Sequence, residues 1–238
     1  MQANLELRAF DRAHANDARS WRNDYRIWQN CRQNDLITDW DQAQWFERQA
    51  ADPSIRMYAL VCVVGRIETF VGVCGLTSID WMNRRAEFSC YVAPEYQRQG
   101  HGERGLSILL KHGFQNLGLN QIWGEVFHGN PAMKLFAKLG FQLDGKRREA
   151  YWKDGAWLDS YFISMLASEW REKHGTGNAD HREPDSTAGD DGAAPVVPVP
   201  AKRERKRKLG VAVDHKHAAG PQETVPGGSE LINPYGTA

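Results

Sequence analysis

The sequence predicts an α/β domain: a mixed, mostly antiparallel sheet flanked by helices, with a disordered C-terminal tail. Three observations carry this reading. Apolar strand signals follow one another from Met57 to Val92 across short turns, as antiparallel neighbours do. The last of them runs through a glycine-rich loop into a helix, and a short strand follows from Gln121, as a parallel crossover requires. From about His174 Gly, Pro, Asp and Ala dominate, Tyr235 is the only aromatic residue, and no periodicity survives.

The elements are taken in chain order. Leu5, Leu7 and Ala9 alternate with polar residues and suggest a strand ending near Phe10. Trp21, Tyr25 and Trp28 fall at helical spacing and predict one helix from Asp17 to Arg32. Thr38 and Asp41 resemble a capping box for a second helix, whose apolar face carries Trp45 and Phe46 and which Pro53 ends. The runs Met57–Val64, Ile67 to about Leu76 and Arg85–Val92 are strands, the first two joined by a tight turn at Gly65-Arg66. Leu106, Leu109, Leu110, Phe114 and Leu117 mark the central helix, which Gly118 closes. Asn130-Pro131 is expected to start the next helix as cap and first residue, with Ala132, Leu135, Phe136 and Leu139 inward. Phe141–Tyr151 and Trp157–Leu166 form a final hairpin around a Lys153-Asp154-Gly155 turn.

Thirty basic and thirty acidic side chains cancel, so net charge alone points to no polyanionic partner. Cys31, Cys62, Cys74 and Cys90 show no C-x-x-C pairing and read as buried free thiols. No His/Cys/Asp cluster has metal-ligand spacing, and no Ser/His/Asp nucleophile set stands out. No apolar run approaches the length of a membrane span, and no signal peptide is recognised, so a cytoplasmic setting without membrane attachment is expected.

The loop Gln97-Arg98-Gln99-Gly100-His101-Gly102 opens the central helix. A helix N-terminus carries unpaired N–H groups and about half a positive charge, and bare glycines there let a phosphate approach. Gly100, Gly102 and Gly105 also spell G-x-G-x-x-G, with Glu125 about 20 residues on, where a dinucleotide fold places a ribose-binding acid. That reading fails on context, because seven residues, Ala93 to Gln99, separate the strand from the first glycine.

Gln97-x-x-Gly100-x-Gly102, the element order and the segment Asn130-Pro131…Lys138-Leu139-Gly140-Phe141 resemble the GCN5-related N-acetyltransferase (GNAT) superfamily. Trp21-Arg22-Asn23-Asp24, Glu87-Phe88-Ser89 and Arg148…Lys153-Asp154-Gly155…Asp159-Ser160-Tyr161 are similar to its branch of ribosomal-protein N-terminal and nucleotide-amino-sugar acetyltransferases. The resemblance implies a domain over residues 1–172 that moves an acetyl group from acetyl-coenzyme A to a primary amine, without a metal. The acceptor is then a small molecule or peptide: an amino-sugar nucleotide or a protein N-terminal α-amine.

The resemblance also assigns residues. Glu87, on the strand facing the acceptor, is the base; pairing with Arg84 or Arg85 is its structural alternative. Tyr91, Val92 and Ala93 lie along the pantetheine, and Gln97, Arg98, Gln99, Gly100, His101 and Gly102 meet the pyrophosphate, with Arg104 adding charge. Asn130 contacts the coenzyme or merely caps its helix. Phe136 belongs to the same set, standing where many members carry a tyrosine that protonates the departing thiolate; phenylalanine cannot donate. Trp40, Trp81, Tyr151 and Trp152 either line an acceptor pocket or pack.

Residues 173–238 are the expected tail. Its block Lys202–Lys208 reads as a solvated charge run balanced by upstream acids, the alternative being an arm for nucleic acid or an acidic partner. Two functional alternatives follow: a GNAT-fold binding module without catalysis, or an acyltransferase directed to nucleic acid by that arm.

Overall fold

The computed structural model describes residues 3–175. Most of the expected tail, including Lys202–Lys208, therefore lies outside the described residues. Strand β1 spans Asn4–Ala9 and is followed by helices α1 (Arg12–Asn23), α2 (Tyr25–Trp28) and α3 (Asp39–Ala51). Strands β2 (Arg56–Val64), β3 (Ile67–Asp80) and β4 (Arg85–Val92) lead into α4 (His101–Lys111). Then come β5 (Gln121–Phe127), α5 (Met133–Leu139), β6 (Gln142–Lys153), β7 (Ala156–Leu166) and α6 (Ala167–His174).

The seven strands form one sheet in the order β1-β2-β3-β4-β5-β7-β6, antiparallel except where β4 meets β5. One face carries α4, α5 and α6, packed through Phe88, Leu109, Ile122, Phe136, Met165 and Trp170. The other carries α1 to α3 through Ala18, Ile27, Trp45, Val73 and Tyr91.

Four expectations about the elements need correction. The helix expected over 17–32 is two helices, because Asp24 leaves helical geometry (ψ 129°) and its carboxylate takes the Arg26 N–H at 2.9 Å, starting α2 afresh. The third strand, β3, runs four residues past Leu76 to Asp80, where it pairs with Arg85. The helix expected from Pro131 begins at Met133; Asn130 Oδ1 instead accepts the Ala132 N–H at 2.9 Å and closes the turn before it. Lys153 belongs to β6, leaving Asp154-Gly155 as the turn. The Thr38–Asp41 capping box forms as expected, with Asp41 accepting the Thr38 N–H at 3.0 Å.

Strands β4 and β5 share a ladder of only three residue pairs, Arg85–Gln121 to Glu87–Trp123. Beyond Glu87 they separate, although β4 continues to Val92 and β5 to Phe127. A cleft at the middle of the sheet follows from that parting.

Candidate active site

A cleft of about 540 Å³ opens where the two strands part. Cys90, Tyr91 and Val92 of β4 form one wall, Asn130 to Ala132 and Phe136 another, and Pro94, Gln97 and Arg98 the mouth. Arg26, Ile27, Gln29 and Asn30 close it from α2 and the loop after it. Of the expected coenzyme set, Tyr91, Val92, Gln97, Arg98, Asn130 and Phe136 thus gather around one space. Ala93, Gln99, Gly100, His101 and Gly102 are not among its lining residues. Nothing in the sequence pointed to the α2 contribution, since the break at Asp24 that aims this segment was not foreseen.

Beside the mouth, Arg98 and Gly100 both take left-handed backbone (φ 60° and 81°). Alternation of this kind turns successive N–H groups inward to form an anion-binding concavity. Among the described residues, the N–H groups of 97–102 have no protein acceptor. A Cβ at Gly100 would meet nothing within 4 Å, so its φ rather than crowding selects glycine. These donors, the open backbone and the cleft fit a diphosphate followed by a narrow arm. Some side chains are otherwise engaged. Gln97 Nε2 donates to Val92 O at 3.1 Å, which ties the loop to the end of β4. Gln99 Nε2 donates to Glu95 O, and Arg104 Nη2 donates to Ala3 O. Glu103 pairs with Lys138 at 2.7 Å.

His101 is buried, edge-on to Tyr96 at 6.5 Å, and its Nδ1 has no partner. Burial first, and then Arg104, push its pKa below the usual histidine value. Ala93 N–H is spent on Val71 O at 2.9 Å, on the β3 side of the strand. Phe136 is buried against Phe88 at 5.2 Å and Phe141 at 5.9 Å, so the tyrosine position of the resemblance is here an aromatic wall.

Where β4 and β5 last pair lies a buried charge cluster. Glu87, 4% exposed, pairs with Arg32 (Nη2 to Oε1, 2.7 Å), which reaches in from the loop between α2 and α3. The alternative partners do other work: Arg84 Nε donates to Gly118 O and Arg85 pairs with Asp80. The other Arg32 Nη nitrogen lies 3.5 Å from Glu125 Oε2 on β5. Glu125 also accepts from Arg147 at 3.1 Å, Tyr151 OH at 2.8 Å and Ser160 Oγ at 2.5 Å. With four donors the lone pairs of Glu125 are filled. Burial, and then Glu125, raise the pKa of Tyr151.

The sequence drew attention to Glu125 for an unrelated reason, named Ser160 only within a segment of the resemblance, and gave Arg32 and Arg147 no role in the site. Of the four aromatic candidates only Tyr151 touches this cluster. Trp40 is 70% exposed, Trp81 donates to Pro53 O, and Trp152 stacks edge-on with Trp157.

Residues 4–142 match the family model of the Acetyltransferase (GNAT) domain. The chain belongs to the GNAT acetyltransferases. It is an acetyl-coenzyme A-dependent N-acetyltransferase of the fold described above. Among its relatives is "Uncharacterized N-acetyltransferase p20" of Bacillus licheniformis, 30% identical over 137 residues, 56% of this chain and 77% of that one. The spermidine N(1)-acetyltransferase of Escherichia coli K12 is 25% identical over 132 residues, 55% of this chain and 69% of that one. The fold matches the spermidine N-acetyltransferase of Vibrio cholerae solved with CoA and spermine, with a TM-score of 0.66 and 23% identity. That match covers 70% of this chain and 97% of the other. Among the described residues no helix is long and apolar enough to cross a membrane, and no group of three or more His, Cys, Asp or Glu could hold a metal ion.

Proposed function

We propose that the acceptor is a primary amine of modest basicity, an amino-sugar nucleotide or a protein N-terminal α-amine, and that Glu87 takes its proton. One observation carries this reading: Glu87 is a carboxylate buried at the last rung before β4 and β5 part, three residues before Cys90 on the cleft wall. An α-amine with a pKa near 8 is about 10% neutral at pH 7, so a carboxylate acting directly or through one water suffices; a lysine-like amine is well under 1% neutral. Acetyl-coenzyme A supplies the activated acyl group. In this reading the unspent N–H groups of 97–102 hold its diphosphate, Tyr91 and Val92 line its arm, and Asn130 and Phe136 form the far wall. Arg32 and Arg147 balance the charges of Glu87 and Glu125, which supports an acceptor without multiple positive charges.

The names of three relatives favour a second reading, a polyamine acceptor. Thiol release from acetyl-coenzyme A, followed with a UDP-linked amino sugar, a peptide bearing a free α-amine and spermidine, separates the two. Turnover with either of the first two, and background rates with spermidine, is expected; turnover with spermidine alone would overturn the acceptor assignment. Glu87→Gln should lower kcat about a hundredfold while acetyl-coenzyme A binds as before. An unchanged rate removes Glu87 from the mechanism, and coenzyme binding without turnover in the native enzyme indicates a binding module instead.

A further inference from the structure

We propose that Lys153 is a positioning residue for acetyl transfer: its ammonium fastens the loop after α2 so that the Arg32 guanidinium stands between Glu87 and Glu125. The proposal rests on the reading of Glu87 given above. Lys153 ends β6, is 5% exposed, and lies more than a hundred residues from the carbonyls it binds. Its Nζ donates to Trp28 O at 2.6 Å, Cys31 O at 2.5 Å and Gln33 O at 3.0 Å. It also sits 4.1 Å over the Trp28 ring and 5.7 Å from that of Phe127.

An ammonium has three N–H bonds, and all three are spent on one short turn of chain. Cys31 and Gln33 are the two neighbours of Arg32, so the peptide planes on either side of Arg32 are held from the same point. The carbonyls concerned include one from the C-terminal end of α2, where orphan acceptors and the negative end of the helix dipole favour a cation. Arg32 itself is long and flexible, and its bonds to β4 and β5 are useful only if its backbone stays in place. Other ties hold the rest of the loop but not this pair of carbonyls. Gln33 accepts from the Arg22 Nε at 3.0 Å and donates to Asp35 O at 2.9 Å, and Asn23 Oδ1 accepts the Ile37 N–H at 2.8 Å. A merely structural staple would hold the β6–β7 hairpin to the helices and nothing more. A positioning residue acts on catalysis through Glu87.

Two measurements on the full chain distinguish these roles. Lys153→Met keeps the stem and removes the donors; Lys153→Gln serves if the methionine variant does not fold. Amide hydrogen exchange over residues 29–35 is expected to rise at least tenfold, with exchange in β3 and β4 unchanged. In the thiol-release assay, with whichever of the three acceptors above is turned over, kcat should fall at least tenfold. The KM for acetyl-coenzyme A should move less than threefold. In a Glu87→Gln background the same change should cost less than twofold, because the group it acts through is gone. Exchange over 29–35 like that of the native enzyme, or an equal loss of kcat in both backgrounds, would overturn the proposal. A Glu87→Gln enzyme of full activity would sink the base assignment alone, and exchange over 29–35 then decides for or against Lys153. The same holds if none of the three acceptors reacts.

Discussion

At the scale of the residue, the decisive group is Arg32. It is the cation that joins the two halves of the sheet, because Glu87 belongs to β4 and Glu125 to β5. Buried ion pairs add little net stability when intact, but removing one partner strands the other charge. Arg32→Met should therefore destabilise the domain by about 3 kcal/mol, read from urea unfolding. Arg32 could not be found in the sequence, since its partners stand 55 and 93 residues away and nothing local distinguishes it from a surface arginine. Glu87 was visible only through the resemblance. Glu125 was visible only as part of a glycine motif that does not apply.

At the scale of the element, local chemistry was legible wherever a residue acts on its own neighbours. The Thr38–Asp41 box and the crossover from β4 to β5 could all be read in advance. The two misplaced helix starts share one cause: a side chain that captures a backbone N–H two residues ahead. Asp24 does this to Arg26, and Asn130 to Ala132, and each moves a helix start while leaving the apolar spacing intact. Trp21, Tyr25 and Trp28 keep their helical period across a break that period alone does not reveal. The loop before α4 makes a testable case. Gly100→Ala places a β-carbon in open space but forces a left-handed alanine, costing about 1 kcal/mol. Calorimetry should show weaker acetyl-coenzyme A binding by that variant, because relaxing φ at residue 100 re-aims the donors on either side.

At the scale of the whole molecule, acid stability is set in part by two histidines that the fold keeps neutral. His101 and His112 both have pKa values held below the usual 6.5, His101 by burial and Arg104, His112 by burial beside Tyr58. A histidine whose folded pKa is depressed binds fewer protons folded than unfolded. Its contribution is fully present above pH 6.5 and is lost as pH falls below it. Thermal midpoints should thus drop between pH 7 and pH 5, and a His101→Gln, His112→Gln double variant should flatten that part of the curve. Equal slopes in the two proteins would remove both residues from the account.

The parting of β4 from β5 has one more consequence. Cys90 stands on the cleft wall, half-buried, with Cys74 directly across the ladder and fully buried, while Cys62 is half-buried elsewhere on the sheet. Burial, and then its contact with Cys90, push the Cys74 thiol well above its ordinary range, which keeps it unreactive. Cys90 therefore serves as a native reporter: alkylation at that sulfur tracks whether the groove is filled, with Cys62 as the internal reference.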